Sequence, residues 1–83
     1  MAKEKIIIVD DEPDVLDLCK RVLETRGYRV TTMHDGHKVI DYAQKEYFDL
    51  LLTDIRMPGI SGLEVAQAVK QSAPDIVLSL IHI

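Results

Sequence analysis

The sequence predicts an α/β domain in which helices pack on the faces of a parallel β-sheet. Short aliphatic runs alternate three times with segments whose apolar residues recur at helical spacing, and a fourth aliphatic run follows. The breaks between these segments are short and contain Gly, Pro or Asp, which are residues typical of turns. Alternation of strands and helices with short connections favours right-handed crossovers and parallel pairing.

The first predicted strand and helix lie in the N-terminal part of the chain. Lys5 to Val9 is a short aliphatic run, typical of a strand buried on both faces. A helix follows from Pro13, with Asp11 or Glu12 as its cap, and Gly27 ends it. Its apolar face is formed by Val15, Leu16, Leu18, Cys19, Val22 and Leu23.

The remaining elements follow the same alternation. Residues 28–33 favour a strand, and the Asp35-Gly36 pair after it is a turn signal. Val39, Ile40, Ala43 and Tyr47 recur at helical spacing and indicate the second helix. Phe48 to Thr53 indicate the next strand, and Met57-Pro58-Gly59 indicate the turn after it. The third helix is predicted to start at Ser61 or Gly62 and to end at Pro74. Residues 76–83 form the fourth predicted strand.

Size and composition limit the class of protein. The 83 residues are 47% hydrophobic and carry a net charge of −4, which predicts one folded domain over residues 1–83. The chain has no basic block for nucleic acid and no apolar run long enough to cross a membrane. Cys19 is the only cysteine, so an internal disulfide is excluded, and we expect a buried thiol in a cytoplasmic protein.

Three acids follow two of the buried strands. Asp10 and Asp11 come after the first strand, and Asp54 comes after the third. In a flavodoxin-like sheet with strand order 2-1-3-4 these strands are neighbours, and their carboxyl ends meet at one crevice. Each pair of charges repels by roughly 3 kcal/mol at ~5 Å and an effective dielectric constant near 20, so a cation is expected. Oxygen ligands without a nearby cysteine favour Mg²⁺ over Zn²⁺.

Each acid also has a simpler explanation when it is taken alone. Asp11 or Glu12 would serve as a helix cap, and Asp54 would favour the loop after it. The joint pattern decides between the two readings, because helix capping and turn preference do not explain acids after two neighbouring strands with Pro-Gly four residues beyond the last.

Two segments carry a resemblance to a known family. "IIIVDDEPDV" and "LLTDIRMPGISGLEV" make residues 3–78 resemble the receiver domain of two-component response regulators. The resemblance implies that Asp54 accepts a phosphoryl group from a histidine kinase or phosphotransfer protein. It also implies that Asp11, Asp54 and the main-chain carbonyl of Arg56 bind Mg²⁺, that Asp10 assists through water, and that Pro58 and Gly59 shape the loop.

The chain departs from the family pattern after the fourth strand. The family continues with a fifth strand ending in a lysine and two further helices, so the resemblance implies a fold truncated to βαβαβαβ. The hydroxyl that ends the fourth strand in the family falls near His82, while Ser79 stands earlier. An exposed fourth-strand edge is a template for pairing, so we expect a homo-oligomer joined along it.

Two alternatives to a phosphoacceptor module remain. A degenerate receiver would keep the fold and act as an oligomerising assembly module without phosphoryl switching. A phosphohydrolase with an aspartate nucleophile needs an Asp-x-Asp pattern, and Asp10-x-Glu12 matches it poorly, so we expect no enzyme. His34 and His37 are interpreted as solvated loop residues.

Overall fold

The structure, a computed structural model, describes residues 4–54 and 59–81, with the backbone alone for Leu80 and Ile81. Strands and helices alternate in chain order as β1 (Lys5–Val9), α1 (Pro13–Thr25), β2 (Arg29–Met33), α2 (Gly36–Lys45), β3 (Leu50–Asp54), α3 (Gly62–Ser72) and β4 (Val77–Ile81). The strands are parallel and stand in the order β2-β1-β3-β4. The predicted fold class and strand order are confirmed.

The core lies on both faces of the sheet. Along β1, Ile7 and Val9 point toward α2 and α3, while Ile6 and Ile8 point toward α1. All four are almost fully buried, as the aliphatic run predicted. Because successive side chains of a strand point to opposite faces, one continuous apolar run supplies two layers of the core. The central strand β1 is therefore packed on both faces up to its carboxyl end.

Helix α1 ends where its glycine predicted. Gly27 adopts a φ of 93°, a conformation that residues with a side chain rarely adopt. The N–H of Gly27 donates to the carbonyl of Glu24, and the N–H of Tyr28 donates to the carbonyl of Leu23. These two bonds form a Schellman motif, which satisfies the last carbonyls of the helix.

The start of α1 has an acidic residue at its N-cap, as predicted, but a different acid bonds the turn before the helix. Glu12 occupies the N-cap, but within the described residues its side chain makes no hydrogen bond to the first turn. Asp11 lies near Asp10 and Asp54 at the carboxyl ends of the strands. The acid that holds this turn is Asp10, whose Oδ1 accepts the N–H of Glu12 at 3.0 Å. An aspartate readily bonds the main-chain N–H two residues on, and that bond is independent of helical spacing.

Helix α2 lies closer to the N-terminus than the sequence predicted. Asp35 is its N-cap and accepts the N–H of His37 at 2.9 Å, so the expected turn is the first turn of the helix. The helix ends at Lys45, before the two neighbouring aromatic residues. Tyr47 was expected on the apolar face but is 61% exposed, whereas Phe48 is fully buried ahead of β3. The Phe48 ring packs against Tyr42 with centroids 5.9 Å apart.

The two faces of the sheet are unequally covered. Helices α2 and α3 pack on one face, and α1 packs on the other over β1 and β2. A groove on the α1 side is lined by Leu18, Cys19, Val22, Leu23 and Leu52, all of them apolar. Leu18 is 64% exposed and Val22 is 52% exposed, although the helical pattern predicted that both belong to the buried face. One helix about 10 Å wide cannot cover four strands spaced about 4.8 Å apart.

Candidate functional site

The three acids meet at the carboxyl edge of the sheet. Val9 of β1 stands level with Thr53 of β3, so Asp10 and Asp54, the residues that follow, lie side by side. Carboxylate oxygens of Asp10, Asp11 and Asp54 all lie within 4.8 Å of one another. The predicted convergence of the acids from two strands is thus present in the structure. It depends on β1 and β3 being neighbours in the sheet. β2 lies on the other side of β1, so the chain passes across β1 through α2 on its way from β2 to β3.

Asp10 is buried and is held by two hydrogen bonds. It is 1% exposed, and its own N–H donates to the carbonyl of Met33 at the end of β2. Its Oδ1 accepts the N–H of Glu12 at 3.0 Å. Its Oδ2 is buried without a hydrogen-bond partner among the described residues. A buried carboxylate oxygen without a partner is unfavourable, and a cation or an ordered water at this position would satisfy it.

Burial is the main reason that the pKa of Asp10 is raised above its ordinary value of 3.8. The hydrogen bond from the N–H of Glu12 opposes this shift by stabilising the charged form. The adjacent side chain of Asp11 and the negative charge of Asp54 raise the pKa of Asp10 further. The site therefore holds negative charge that favours a cation.

Asp54 is the last residue of β3, which is paired on both sides. β1 and β4 flank β3, and this pairing aims Asp54 from a rigid strand. Its neighbour Thr53 is fully buried and donates its hydroxyl to the carbonyl of Asp54 at 3.1 Å. The sequence pattern predicted Thr53 only as the end of the strand. A polar residue at an inward position of an otherwise aliphatic strand is the signal that would have identified it.

The available donors agree with a hard cation. The described residues that converge here offer carboxylate oxygens, and no histidine or cysteine belongs to the cluster. Mg²⁺ prefers oxygen ligands and keeps several waters, which suits one buried and two more accessible acids. The residues present thus fit Mg²⁺.

Other predicted site residues lie beside or outside this part of the structure. Arg56, Pro58 and His82 fall outside the described residues, so their assignments stay predictions. Gly59 has a φ of 86°, a conformation that residues with a side chain rarely adopt, and its role in shaping the loop stays a prediction. Ser79 pairs with Leu52, two register positions before the level of Asp54, so its hydroxyl stands on a lower row of the sheet than the acids.

His34 and His37 lie outside the cluster of acids. His37 places its Nδ1 3.2 Å from the carboxylate of Asp35, and both side chains are largely exposed. His34 is exposed beside the start of α2. His34 lies outside the helices and strands, as interpreted, but His37 lies in the first turn of α2, so its interpretation as a loop residue is wrong.

Comparison with known proteins identifies the family. The profile of the response regulator receiver domain matches residues 6–81. The chain belongs to this family. The regulatory protein VanRc of Enterococcus gallinarum is 36% identical over 69 residues, which are 83% of this chain and 30% of VanRc. This receiver sequence thus spans about a third of the length of the curated relatives that it matches.

Solved structures of receivers share the fold. The match to the response regulator TrrA in complex with the histidine kinase ThkA has a TM-score of 0.88 at 37% identity, and covers 95% of this receiver and 68% of that chain. TrrA from Thermotoga maritima has also been solved with Mg(2+)-BeF, and that match has a TM-score of 0.83. A CheY-like receiver from Methanospirillum hungatei matches with a TM-score of 0.94 at 28% identity, covering 98% of this chain and 65% of that one.

No helix among the described residues is both long enough and apolar enough to span a bilayer.

Proposed function

We propose that this receiver is the phosphoacceptor module of a two-component phosphorelay, and that Asp54 accepts a phosphoryl group with Mg²⁺ bound beside it. The observation that carries the proposal is the convergence of Asp10, Asp11 and Asp54 within 4.8 Å at the end of two adjacent strands. The donor would be the phosphohistidine of a histidine kinase or phosphotransfer protein. The relative TrrA, solved with a histidine kinase and with Mg(2+)-BeF, supports both the partner and the cation.

The reaction needs little beyond position and charge. A carboxylate oxygen of Asp54 attacks the phosphorus, the bond from phosphorus to the donor nitrogen breaks, and the product is an acyl phosphate. Asp54 lies at the end of a strand paired on both sides, which limits its motion relative to Asp10 and Asp11. Phosphoryl transfer of this kind depends mainly on alignment and electrostatic stabilisation.

Asp11, Asp54 and the main-chain carbonyl of Arg56 would hold the cation directly, and Asp10 would hold it through water. When bound, Mg²⁺ supplies positive charge that offsets the repulsion between the acids and the incoming phosphoryl oxygens. The buried Oδ2 of Asp10 without a partner among the described residues supports this assignment, because it provides an acceptor for a water of the cation's shell.

A small phosphodonor tests the proposal directly. The protein is incubated with acetyl phosphate and Mg²⁺, and intact mass spectrometry counts the phosphoryl groups gained. We expect one group in the wild type, none in Asp54→Asn, and none when EDTA replaces Mg²⁺. Asp41→Asn, an exposed acid on α2, is the matched control and should be modified like the wild type. Unmodified wild type, or equal modification of Asp54→Asn, would contradict the proposal.

A second candidate is an assembly module that keeps the receiver fold without phosphoryl switching. It is favoured by the exposed apolar side chains of Leu18 and Val22 on α1 and of Val77 on the outermost strand β4. The same phosphodonor experiment separates the two candidates, because this one requires no modification of Asp54.

A further inference from the structure

The turn between β1 and α1 shares a residue with the cation site. Asp10 is one of the three clustered acids, and its Oδ1 also accepts the N–H of Glu12 at 3.0 Å. Glu12 is the N-cap of α1, and its carbonyl accepts the N–H of Leu16 at 3.2 Å. One buried side chain is thus bonded to the residue from which helix α1 begins.

Opening of the turn removes a hydrogen bond from this buried side chain. Asp10 is 1% exposed and is fixed to β2 through its main-chain N–H, so its carboxylate has little room for alternative positions. Its Oδ2 is buried and has no hydrogen-bond partner among the described residues. Opening of the turn breaks the bond from Oδ1 to Glu12 and leaves both oxygens of the carboxylate unsatisfied, unless the side chain also leaves the cluster.

We propose that Asp10 is a positioning residue that couples cation binding at the acidic cluster to closure of the β1–α1 turn, so that a bound divalent cation selectively protects the start of helix α1. This inference rests on the proposed function, because it needs a cation at Asp10, Asp11 and Asp54. It adds a mechanical consequence: the cation site and the N-terminus of α1 open and close together.

Linkage gives the size of the effect. A cation that binds only the closed turn lowers the open population by the factor 1 + [Mg²⁺]/Kd. At a Mg²⁺ concentration ten times the Kd, amide hydrogen exchange that proceeds through opening of the turn is expected to slow about tenfold. The coupling is reciprocal, so a change that removes the bond to Glu12 weakens cation binding in proportion.

Helix α3 contains an internal reference for this measurement. The N–H of Leu16 donates to the N-cap carbonyl of Glu12 in α1, and the N–H of Val65 donates to the N-cap carbonyl of Ser61 in α3. The two bonds occupy the same position of the helical first turn. Ser61 and Glu64 form a capping box of their own, so the start of α3 is held without any acid of the cluster.

The test is amide exchange measured by NMR with and without Mg²⁺, beside calorimetric measurement of Mg²⁺ binding. At ten times the Kd, we expect the amides of Glu12 and Leu16 to slow about tenfold more than that of Val65. If Mg²⁺ binds and all three amides change equally, the inference is overturned while the proposed function stands. If calorimetry shows no binding, both the inference and the proposed function fail.

Two variants separate positioning from general stabilisation. Asp10→Asn keeps an oxygen that accepts the N–H of Glu12 but loses the charge. We expect its Glu12 amide to be protected without Mg²⁺ and to respond no more than Val65. Asp11→Asn weakens binding but leaves the bond between Asp10 and Glu12 intact, so the selective protection should return at saturating Mg²⁺. Selective protection that persists in Asp10→Asn, or is lost in saturated Asp11→Asn, would overturn the inference.

Discussion

Lys5 and Asp49 stand at the start of adjacent strands and are joined by two hydrogen bonds. The N–H of Lys5 donates to Oδ2 of Asp49 at 2.7 Å, and the N–H of Asp49 donates to the carbonyl of Lys5 at 2.8 Å. The carbonyl of Asp49 in turn accepts the N–H of Val77 as β4 begins. Asp49 therefore links the first residues of β1, β3 and β4 at the end of the sheet opposite the acids. The resulting register of β1 and β3 places Asp10 and Asp54 side by side at the other end.

We expect Asp49→Ala to lower the free energy of unfolding by about 1–2 kcal/mol, because a charged acceptor is lost and the N–H of Lys5 remains part-buried. Urea unfolding followed by circular dichroism measures the change. Asp75→Ala, at an exposed position, is the control and should change stability by less than about 0.5 kcal/mol. Equal midpoints for the two variants would show that the Asp49 side chain does not stabilise the sheet.

Truncation of Phe48 should destabilise the protein far more than truncation of its neighbour Tyr47. Phe48→Ala removes a fully buried ring, and we expect it to lower the free energy of unfolding by about 3–5 kcal/mol. Tyr47→Ala removes a largely exposed ring and should change stability by less than about 1 kcal/mol. If Phe48→Ala does not fold, Phe48→Leu retains part of the packing and permits a measured midpoint. Similar losses at both positions would contradict the burial described here.

Stability should depend on the charge of Asp10. Its folded pKa is raised by burial, so the folded state binds the proton more tightly than the unfolded state does. Between the unfolded pKa and the raised folded pKa, stability falls as the pH rises. We therefore expect Asp10→Asn to be more stable than the wild type above the folded pKa, and this advantage should disappear as the pH falls below 3.8. Thermal unfolding across this pH range, without divalent cations, measures it; an advantage constant with pH would refute it.

Substitution of the two glycines with positive φ should show whether a loss of stability by itself slows phosphorylation. Gly59→Ala and Gly27→Ala each force a side chain into the left-handed region, and each should lower the free energy of unfolding by about 1–2 kcal/mol. Gly59 lies five residues after Asp54, whereas Gly27 ends α1. We expect Gly59→Ala alone to slow modification by acetyl phosphate at a temperature where both variants are folded. Equal rates would show that the conformation of Gly59 does not shape the acceptor loop.

Association is expected along the outer edge of β4, where two copies would pair strand to strand. Sedimentation velocity over a range of concentrations should show dimers or larger species, and Val77→Lys on β4 should shift the distribution toward monomer. Lys at a sheet edge opposes pairing, and Val77 is 61% exposed, so the substitution spares the core. Leu63→Lys, at an exposed position on α3, is the control. A monomeric wild type at all concentrations would contradict the expected oligomer.

The strands could be predicted because each depends on a local property of the sequence. The aliphatic run of β1, the helix ended by Gly27 and the acids at the carboxyl ends of β1 and β3 all lie where the pattern placed them. Lys5–Val9 matches the prediction at both ends, and β3 begins two residues later than expected.

What could not be predicted depends on contacts between distant residues. Helical spacing put Tyr47 on an apolar face, but α2 stops at Lys45, and the space beside Tyr42 accepts Phe48 instead. Which of two neighbouring aromatic residues enters the core is decided by the surrounding elements, which sequence periodicity does not describe. Likewise, the bond from Asp10 to Glu12 requires a buried carboxylate in one rotamer, and a sequence pattern carries no information on rotamers.

The unequal covering of the sheet separates two kinds of chemistry in space. Leu18 and Val22 line the apolar groove beside α1, whereas the acids lie at the carboxyl ends of the strands. A partner that bound in that groove through apolar side chains would leave the acids accessible to a cation and to a phosphoryl donor. The two regions could therefore be occupied simultaneously by different binding partners that do not contact each other.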